Sequence, residues 1–309
     1  MIELAVGAMN FGKRTPEPEA RRIVDRALER GVRTFDTANV YVDGESERIL
    51  GRALKGRRDG VSIATKVGFG RIQGKQEGLA PERVTASIDE SLKRLGMDHV
   101  DVYYLHVPDY GTPIEGTLEA MARVLESKKA LAWGVSNFAS WQILEMFHIA
   151  DRTKMPRPII SQQIYNLLVR QLDVEYFKFT ARHPIHTTVY NPLAGGLLTG
   201  RHHKDGSTLE GSRFAGNKLY KNRYWTDAFF DATARYAEIA KGAGMSLVEL
   251  AYAWVAQRKG IDSILVGPGT VEHLDAAIDA CQKKLEEGTL RAIDEAHYEI
   301  TGTDATYAR

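Results

Sequence analysis

The chain has 309 residues, 43% of them hydrophobic, with 41 basic side chains against 40 acidic ones and a net charge of +1. That balance excludes the one-signed field of proteins that bind nucleic acid or anionic membranes. The length suits either two ordinary domains or one (β/α)8 barrel. A single cysteine, Cys281, excludes an intramolecular disulfide and suits a reducing cytoplasm. The opening MIELAVGAMNFGKR lacks the pattern of a signal peptide, and no apolar run approaches the ~20 residues of a membrane span.

In chain order, LAVGAM near residue 4 reads as a first strand. PEPEARRIVDRALERG then reads as a helix, with Ile23, Ala27 and Leu28 on one face and Gly31 just past its end. VRTFDT from Val32 and VSIATK from Val61 follow as strands. PERVTASIDESLKRLG repeats the helix design: Pro81 opens it, Val84, Ile88 and Leu92 share a face, and Gly96 closes it. Further strands are VDVYYLH from Val100, ALAWGVS from Ala130, IISQQ from Ile159, IHTTVY from Ile185 and DSILVG from Asp262. Eight apolar runs alternating with amphipathic segments are the pattern of βα units round a parallel sheet. Eight strands close a barrel, so the predicted fold is a single-domain (β/α)8 TIM barrel over residues 1–309. The longest irregular stretch runs from Pro192 to about Trp225, after the seventh strand, where barrels often hold a phosphate. The tail, about 289–309, is predicted to add a helix and an extension over the barrel mouth.

Asp36 ends VRTFDT, Lys66 ends VSIATK, and His106 ends VDVYYLH, while Tyr41 lies in the polar stretch NVYVDGESE. Taken singly, Asp36 could be a helix cap, Lys66 a surface lysine with a buried stem, and His106 a satisfied core histidine. Together they sit where barrels carry their chemistry, at the C-terminal ends of successive strands. An acid, a phenol, an ammonium and an imidazole there would suit proton donation to a carbonyl.

Other motifs read as structural. GFGRIQG from Gly68 misses the G-x-G-x-x-G spacing and reads as a loop. No Walker loop or HExxH is present, and no metal site is expected. HPIH (His183 to His186) and His202–His203 read as surface histidines. Ser46 has no G-x-S-x-G turn round it, and Cys281, in AAIDACQKKLEE, reads as a buried structural thiol.

Several segments, in order, resemble the aldo-keto reductase superfamily over essentially the whole chain. They are FDTANVYVDGESERILGRAL from Phe35, IATKVG from Ile63, DVYYLHVPD from Asp101, WGVSNF from Trp133 and QIYNLLVR from Gln163. YNPLAGGLLTG from Tyr190 and YKNRYW from Tyr220 are most similar to its aflatoxin-aldehyde and succinic-semialdehyde reductase branch. The resemblance implies a barrel that reduces aldehydes and ketones with NADPH, and less often NADH. It also implies a catalytic tetrad of Asp36, Tyr41, Lys66 and His106.

By the same resemblance, Ser136, Asn137 and Gln162 would hold the nicotinamide carboxamide, and Tyr190 would be the platform for its ring. Pro192, Leu193, Gly195, Leu197 and Thr199 would form the pyrophosphate loop, with Arg201 and Arg213 on the 2′-phosphate. Gly267, Gly269 and His273 fall in the segment that closes over the adenosine end. There the chain departs from the family pattern: His273 replaces a usual Gln or Arg, and Ala276 and Ala277 stand where polar residues hold the adenine. Arg223 and Arg309 fall where the branch holds a substrate carboxylate, beside aromatics such as Tyr224 and Trp225.

The expected chemistry is hydride delivery to a carbonyl carbon and protonation of its oxygen by Tyr41. Lys66 is expected to lower the Tyr41 pKa, Asp36 to pair with Lys66, and neutral His106 to orient the carbonyl. The expected partner is a small carbonyl compound, with no nucleic acid or membrane, in a cytoplasmic monomer or homodimer. A ketoreductase of a sugar or secondary metabolite, and a cofactor-binding regulatory subunit with slow turnover, are the competing functions.

Overall fold

A computed structural model describes residues 2–72, 74–205 and 210–302. Eight strands are parallel and close on themselves: β1 (Glu3–Gly7), β2 (Thr34–Asp36), β3 (Ser62–Val67), β6 (Val100–Leu105), β7 (Ala130–Ser136), β8 (Ile160–Ile164), β9 (His186–Tyr190) and β10 (Ser263–Val266). The barrel closes where β1 pairs with β10, Ala5 opposite Leu265. These are the eight runs expected from sequence. Two further strands among the described residues, β4 (Arg71–Ile72) and β5 (Lys75–Gln76), pair antiparallel after β3. GFGRIQG is thus part of a hairpin rather than a plain loop.

The helices follow from the same patterning. In α1 (Glu17–Glu29), Ala20, Ile23, Val24 and Ala27 are buried, and acidic Glu17 and Glu19 lie in the first turn where the helix dipole favours them. The next helix, α2 (Glu45–Ala53), packs against α3 (Pro81–Leu95) so closely that a Cβ on Gly51 would lie 2.1 Å from the Leu95 carbonyl oxygen. Only glycine allows that crossing. It fixes α2 against the barrel wall beside β2 and β3.

Two apolar cores serve the two halves of the wall, one round Phe35, Ile63, Tyr103 and Trp133, the other round Tyr165, Tyr236 and Trp254. Cys281 is buried as expected, and burial pushes its thiol up to about 12. Two histidine readings are corrected. His186 is partly buried in β9 with Nε2 2.9 Å from the Ser263 hydroxyl, and His202 packs edge-on against Phe214 and Trp225. Each is drawn inward by neighbours distant in sequence.

The stretch from Pro192 to Trp225 is only partly irregular. It holds a 3-10 turn at Ala194–Thr199 and a helix at Lys218–Tyr224. Near the C-terminus a helix at Glu287–Thr301 packs on the one at Asp227–Gly242. Arg309 lies outside the described residues. No described helix is long and apolar enough to cross a membrane, and no metal-binding group of His, Cys, Asp and Glu occurs among the described residues.

Candidate active site

Parallel pairing brings the strand ends together. Asp36 sits opposite Ala64, Lys66 opposite Tyr104, Ser136 opposite Gln162, and Ile164 opposite Tyr190. His106 follows the last residue of β6, its N–H bonded to the Val67 carbonyl at 2.9 Å. Asp36, Lys66 and His106 are all buried. The Lys66 ammonium donates to Asp36 Oδ1 and, at 2.8 Å, to the Thr37 carbonyl oxygen. A buried cation needs such partners, because desolvation otherwise neutralises it.

Tyr41 reaches this pair from a strained turn. Val42 and Asp43 adopt φ of 51° and 52° inside the 3-10 segment Tyr41–Gly44. A β-branched residue rarely takes that region, and strain of about 1–3 kcal/mol per residue persists where surrounding structure enforces it. The turn sets the Tyr41 ring 5.2 Å from the Lys66 ammonium and 5.8 Å, edge-on, from the His106 ring. Phe69, exposed after β3, has its ring centre 5.2 Å from that of His106. Sequence reasoning passed over Phe69, since a phenylalanine beyond a strand end carries no chemical signal.

The electrostatics correct one expectation. Lys66 does not bring the Tyr41 pKa below its usual value. Burial raises it well above 10, and the Asp36 carboxylate adds to the rise. Burial also lowers Lys66 below its ordinary 10.5, against the opposing pull of Asp36. His106 is pushed well below 6.5 by burial and by Lys66, so its imidazole is neutral near pH 7. Near neutral pH the site therefore holds a neutral phenol and a neutral imidazole beside the Lys66–Asp36 ion pair.

The residues that the resemblance assigns to the carboxamide, Ser136, Asn137 and Gln162, make hydrogen bonds within the protein. Gln162 donates from Nε2 to Asp36 Oδ2 at 2.9 Å, a bond across the barrel that the sequence did not suggest. Asn137, at φ 65°, donates from Nδ2 to the His106 carbonyl at 2.9 Å and the Ser136 hydroxyl at 3.0 Å. Tyr190 donates its hydroxyl to Asn137 Oδ1 at 2.6 Å, and Arg223 also faces that phenol.

Beyond them lies the loop that the resemblance assigns to the cofactor's phosphates. Gly195 and Gly196, at φ 70° and 111°, turn the chain there, and a Cβ on Gly195 would meet the Tyr220 ring at 2.6 Å. Leu193 is partly buried and Leu197 lies in the core, so Leu197 can offer a ligand only its backbone. Pro192 is buried, and the Thr199 hydroxyl donates to the Gly196 carbonyl at 2.7 Å. Arg213 donates to Asn191 Oδ1 at 3.1 Å and to the Tyr220 hydroxyl at 3.2 Å, and it lies against Gly267, where a Cβ would come within 2.7 Å of its guanidinium. Burial lowers the pKa of the neighbouring Arg14, and the Arg213 charge adds to that fall. Arg201 and His273 are exposed, and Gly269 accepts from Thr15 at 3.2 Å. Trp225 packs with Phe214, His202 and Phe230.

Among the described residues, His106 Nδ1 at the catalytic end, and Asn191 Nδ2 and Ser212 Oγ next to Arg213, are buried without a hydrogen-bond partner. Unpartnered buried polar groups are costly and point to a ligand that satisfies them. Together with the glycine turn and the guanidiniums of Arg14 and Arg213, which have no ion-paired carboxylate among the described residues, they fit a nicotinamide nucleotide.

Comparison with known proteins agrees. The model of the Aldo/keto reductase family matches residues 3–297. Human Aflatoxin B1 aldehyde reductase member 2 is 35% identical over 100% of this chain and 90% of its own length. Human Aldo-keto reductase family 7 member A3 is 32% identical over 98% of the chain and 96% of its own length. A probable voltage-gated potassium channel subunit beta from Arabidopsis thaliana is 36% identical over 85% and 82%. The chain belongs to the aldo/keto reductase family, whose members are oxidoreductases acting on carbonyl groups with a nicotinamide cofactor.

Proposed function

We propose that the protein reduces aldehydes or ketones to alcohols with NADPH, using Tyr41 as proton donor and Lys66, Asp36 and His106 as its supporting groups. The observation that carries this is the convergence of a neutral phenol, a neutral imidazole and a buried ammonium on one barrel mouth. When bound, the reduced nicotinamide supplies a hydride to the carbonyl carbon. His106 donates a ring N–H to the carbonyl oxygen and fixes the substrate's approach. Tyr41 gives its proton to that oxygen as negative charge builds there, and Lys66 stabilises the phenolate left behind. Asp36 holds the ammonium in place, and Gln162 holds Asp36. Tyr190 offers the ring a flat face. Loss of NADPH absorbance across a panel of small aldehydes and ketones tests the reading, and no turnover of any of them would contradict it.

The preference for NADPH rests on Arg213, whose planar fork suits a phosphate dianion. It leans on neutral partners, Asn191 and Tyr220, and so keeps its charge available. Arg201, out at the exposed rim, is the second basic candidate. Arg213→Ala should weaken NADPH far more than NADH in a fluorescence titration; equal losses would contradict the assignment.

For substrate we propose a small aldehyde bearing a distal carboxylate. Arg223 faces the Tyr190 phenol and lies 6.0 Å from the Tyr220 ring, a partly buried guanidinium at the mouth. A carboxylate binds such a group more strongly than one in open water. The names of the aflatoxin B1 aldehyde reductases agree with an aldehyde substrate. Succinic semialdehyde or 2-carboxybenzaldehyde should show a lower KM than the uncharged analogue. Arg223→Ala should raise that KM selectively; an equal change for charged and neutral aldehydes would remove Arg223 from the role.

A further inference from the structure

The first turn of α2 carries two buried polar side chains that the proposed chemistry does not use. Ser46 Oγ lies 2.8 Å from the Thr37 hydroxyl and donates to the Ala8 carbonyl at 2.8 Å. Thr37 follows Asp36, and its own carbonyl accepts from Lys66. Glu47 is fully buried. Its Oε1 accepts from the Thr65 hydroxyl at 2.5 Å, and its Oε2 accepts from Arg94 Nε, on α3, at 2.5 Å. Thr65 immediately precedes Lys66 on β3, with its side chain on the opposite face of the strand. Consecutive residues of one helix therefore grip the neighbours of Asp36 and of Lys66, and the same helix starts where the Tyr41 turn ends.

We propose that Ser46 and Glu47 are positioning residues: a two-residue clamp that ties down the strand ends bearing Asp36 and Lys66, with Glu47 supplying a second buried counter-charge behind the lysine. Packing alone would not need it. A buried carboxylate is costly unless fully partnered, and apolar side chains of similar size would seat α2 on β3 at less expense. The charges facing Lys66 are Asp36 from β2, Glu47 from α2 and, behind Glu47, Arg94 from α3. The titratable rings facing it are Tyr41, Tyr104 at 5.7 Å, and His106. Asp36 and Glu47 both favour the ammonium, which burial opposes. Removing the Glu47 charge while keeping its shape should therefore let Lys66 deprotonate at lower pH.

The clamp rests on the proposed catalytic role of Lys66, and its test separates the two. The Lys66 titration is read by NMR of isotope-labelled lysine Cε, assigned by its loss in Lys66→Met. In Glu47→Gln it should move down by about one pH unit. Turnover should fall about 10-fold with KM and NADPH affinity unchanged, as expected for a displaced supporting group rather than a lost binding contact. Thr65→Val should lose turnover in the same way, and Thr65→Ser, which keeps the hydroxyl, should restore it. If Glu47→Gln does not fold, the Thr65 pair decides the question. Wild-type turnover in Thr65→Val, or an unmoved Lys66 titration in folded Glu47→Gln, overturns the clamp. A wild-type protein that reduces no carbonyl overturns the function instead, and the lysine titration still reports on Glu47.

Discussion

Tyr41→Phe should lose about 100-fold or more of kcat, the contribution expected of a positioned general acid. The ring would stay in its turn, because Val42, Asp43 and Gly44 set that backbone and not the hydroxyl. Its edge contact with His106 would remain as well. NADPH affinity should therefore be unchanged while the proton has no donor. The raised pKa sharpens the expectation. Burial holds the Tyr41 phenol well above its ordinary value of 10, so the wild-type rate should not fall between pH 6 and pH 8 through loss of the Tyr41 proton. Nor should it fall near pH 6.5 through protonation of His106, whose pKa lies well below that value. Near-normal carbonyl reduction by Tyr41→Phe would remove Tyr41 from the mechanism.

Asp36→Ala should be the most damaging single substitution to stability. Lys66 is fully buried and Asp36 nearly so, and removing one partner of such a pair strands the other charge at a cost of about 3–5 kcal/mol. Gln162 would also lose its acceptor. Adding Lys66→Met to Asp36→Ala removes the stranded charge, so the double variant should regain much of the lost stability while remaining inactive. Urea unfolding of the wild type, both single variants and the double variant measures this. If Asp36→Ala unfolds at the wild-type midpoint, the pair does not hold the site together.

Much of this architecture was legible because the barrel strands are short apolar runs, and three of them close on a charged or imidazole side chain that marks the chemical face. Asp36, Lys66 and His106 stood out for that reason, and they converge because parallel pairing places β2, β3 and β6 side by side. What escaped depends on depth and curvature. The bond from Gln162 to Asp36 spans the barrel between residues 126 apart, and no local pattern encodes it. The β4–β5 hairpin has two residues per strand, below the length at which alternation shows. Glu47 sits in a charged-looking helix segment, ESERILGRA, where acidic residues ordinarily read as solvent-facing. Its burial follows from the close α2–α3 crossing at Gly51. The Tyr41 pKa ran opposite to expectation because the neighbouring cation was legible in sequence and the desolvation was not.

The measurement that reaches furthest into this account is a single turnover with NADPH deuterated at the transferable position of its nicotinamide and a small aldehyde such as succinic semialdehyde. The account predicts that the wild-type protein yields an alcohol with one deuterium on the former carbonyl carbon, while Tyr41→Phe binds the same cofactor and yields almost none. An alcohol without deuterium, or equal yields from the two proteins, would contradict it.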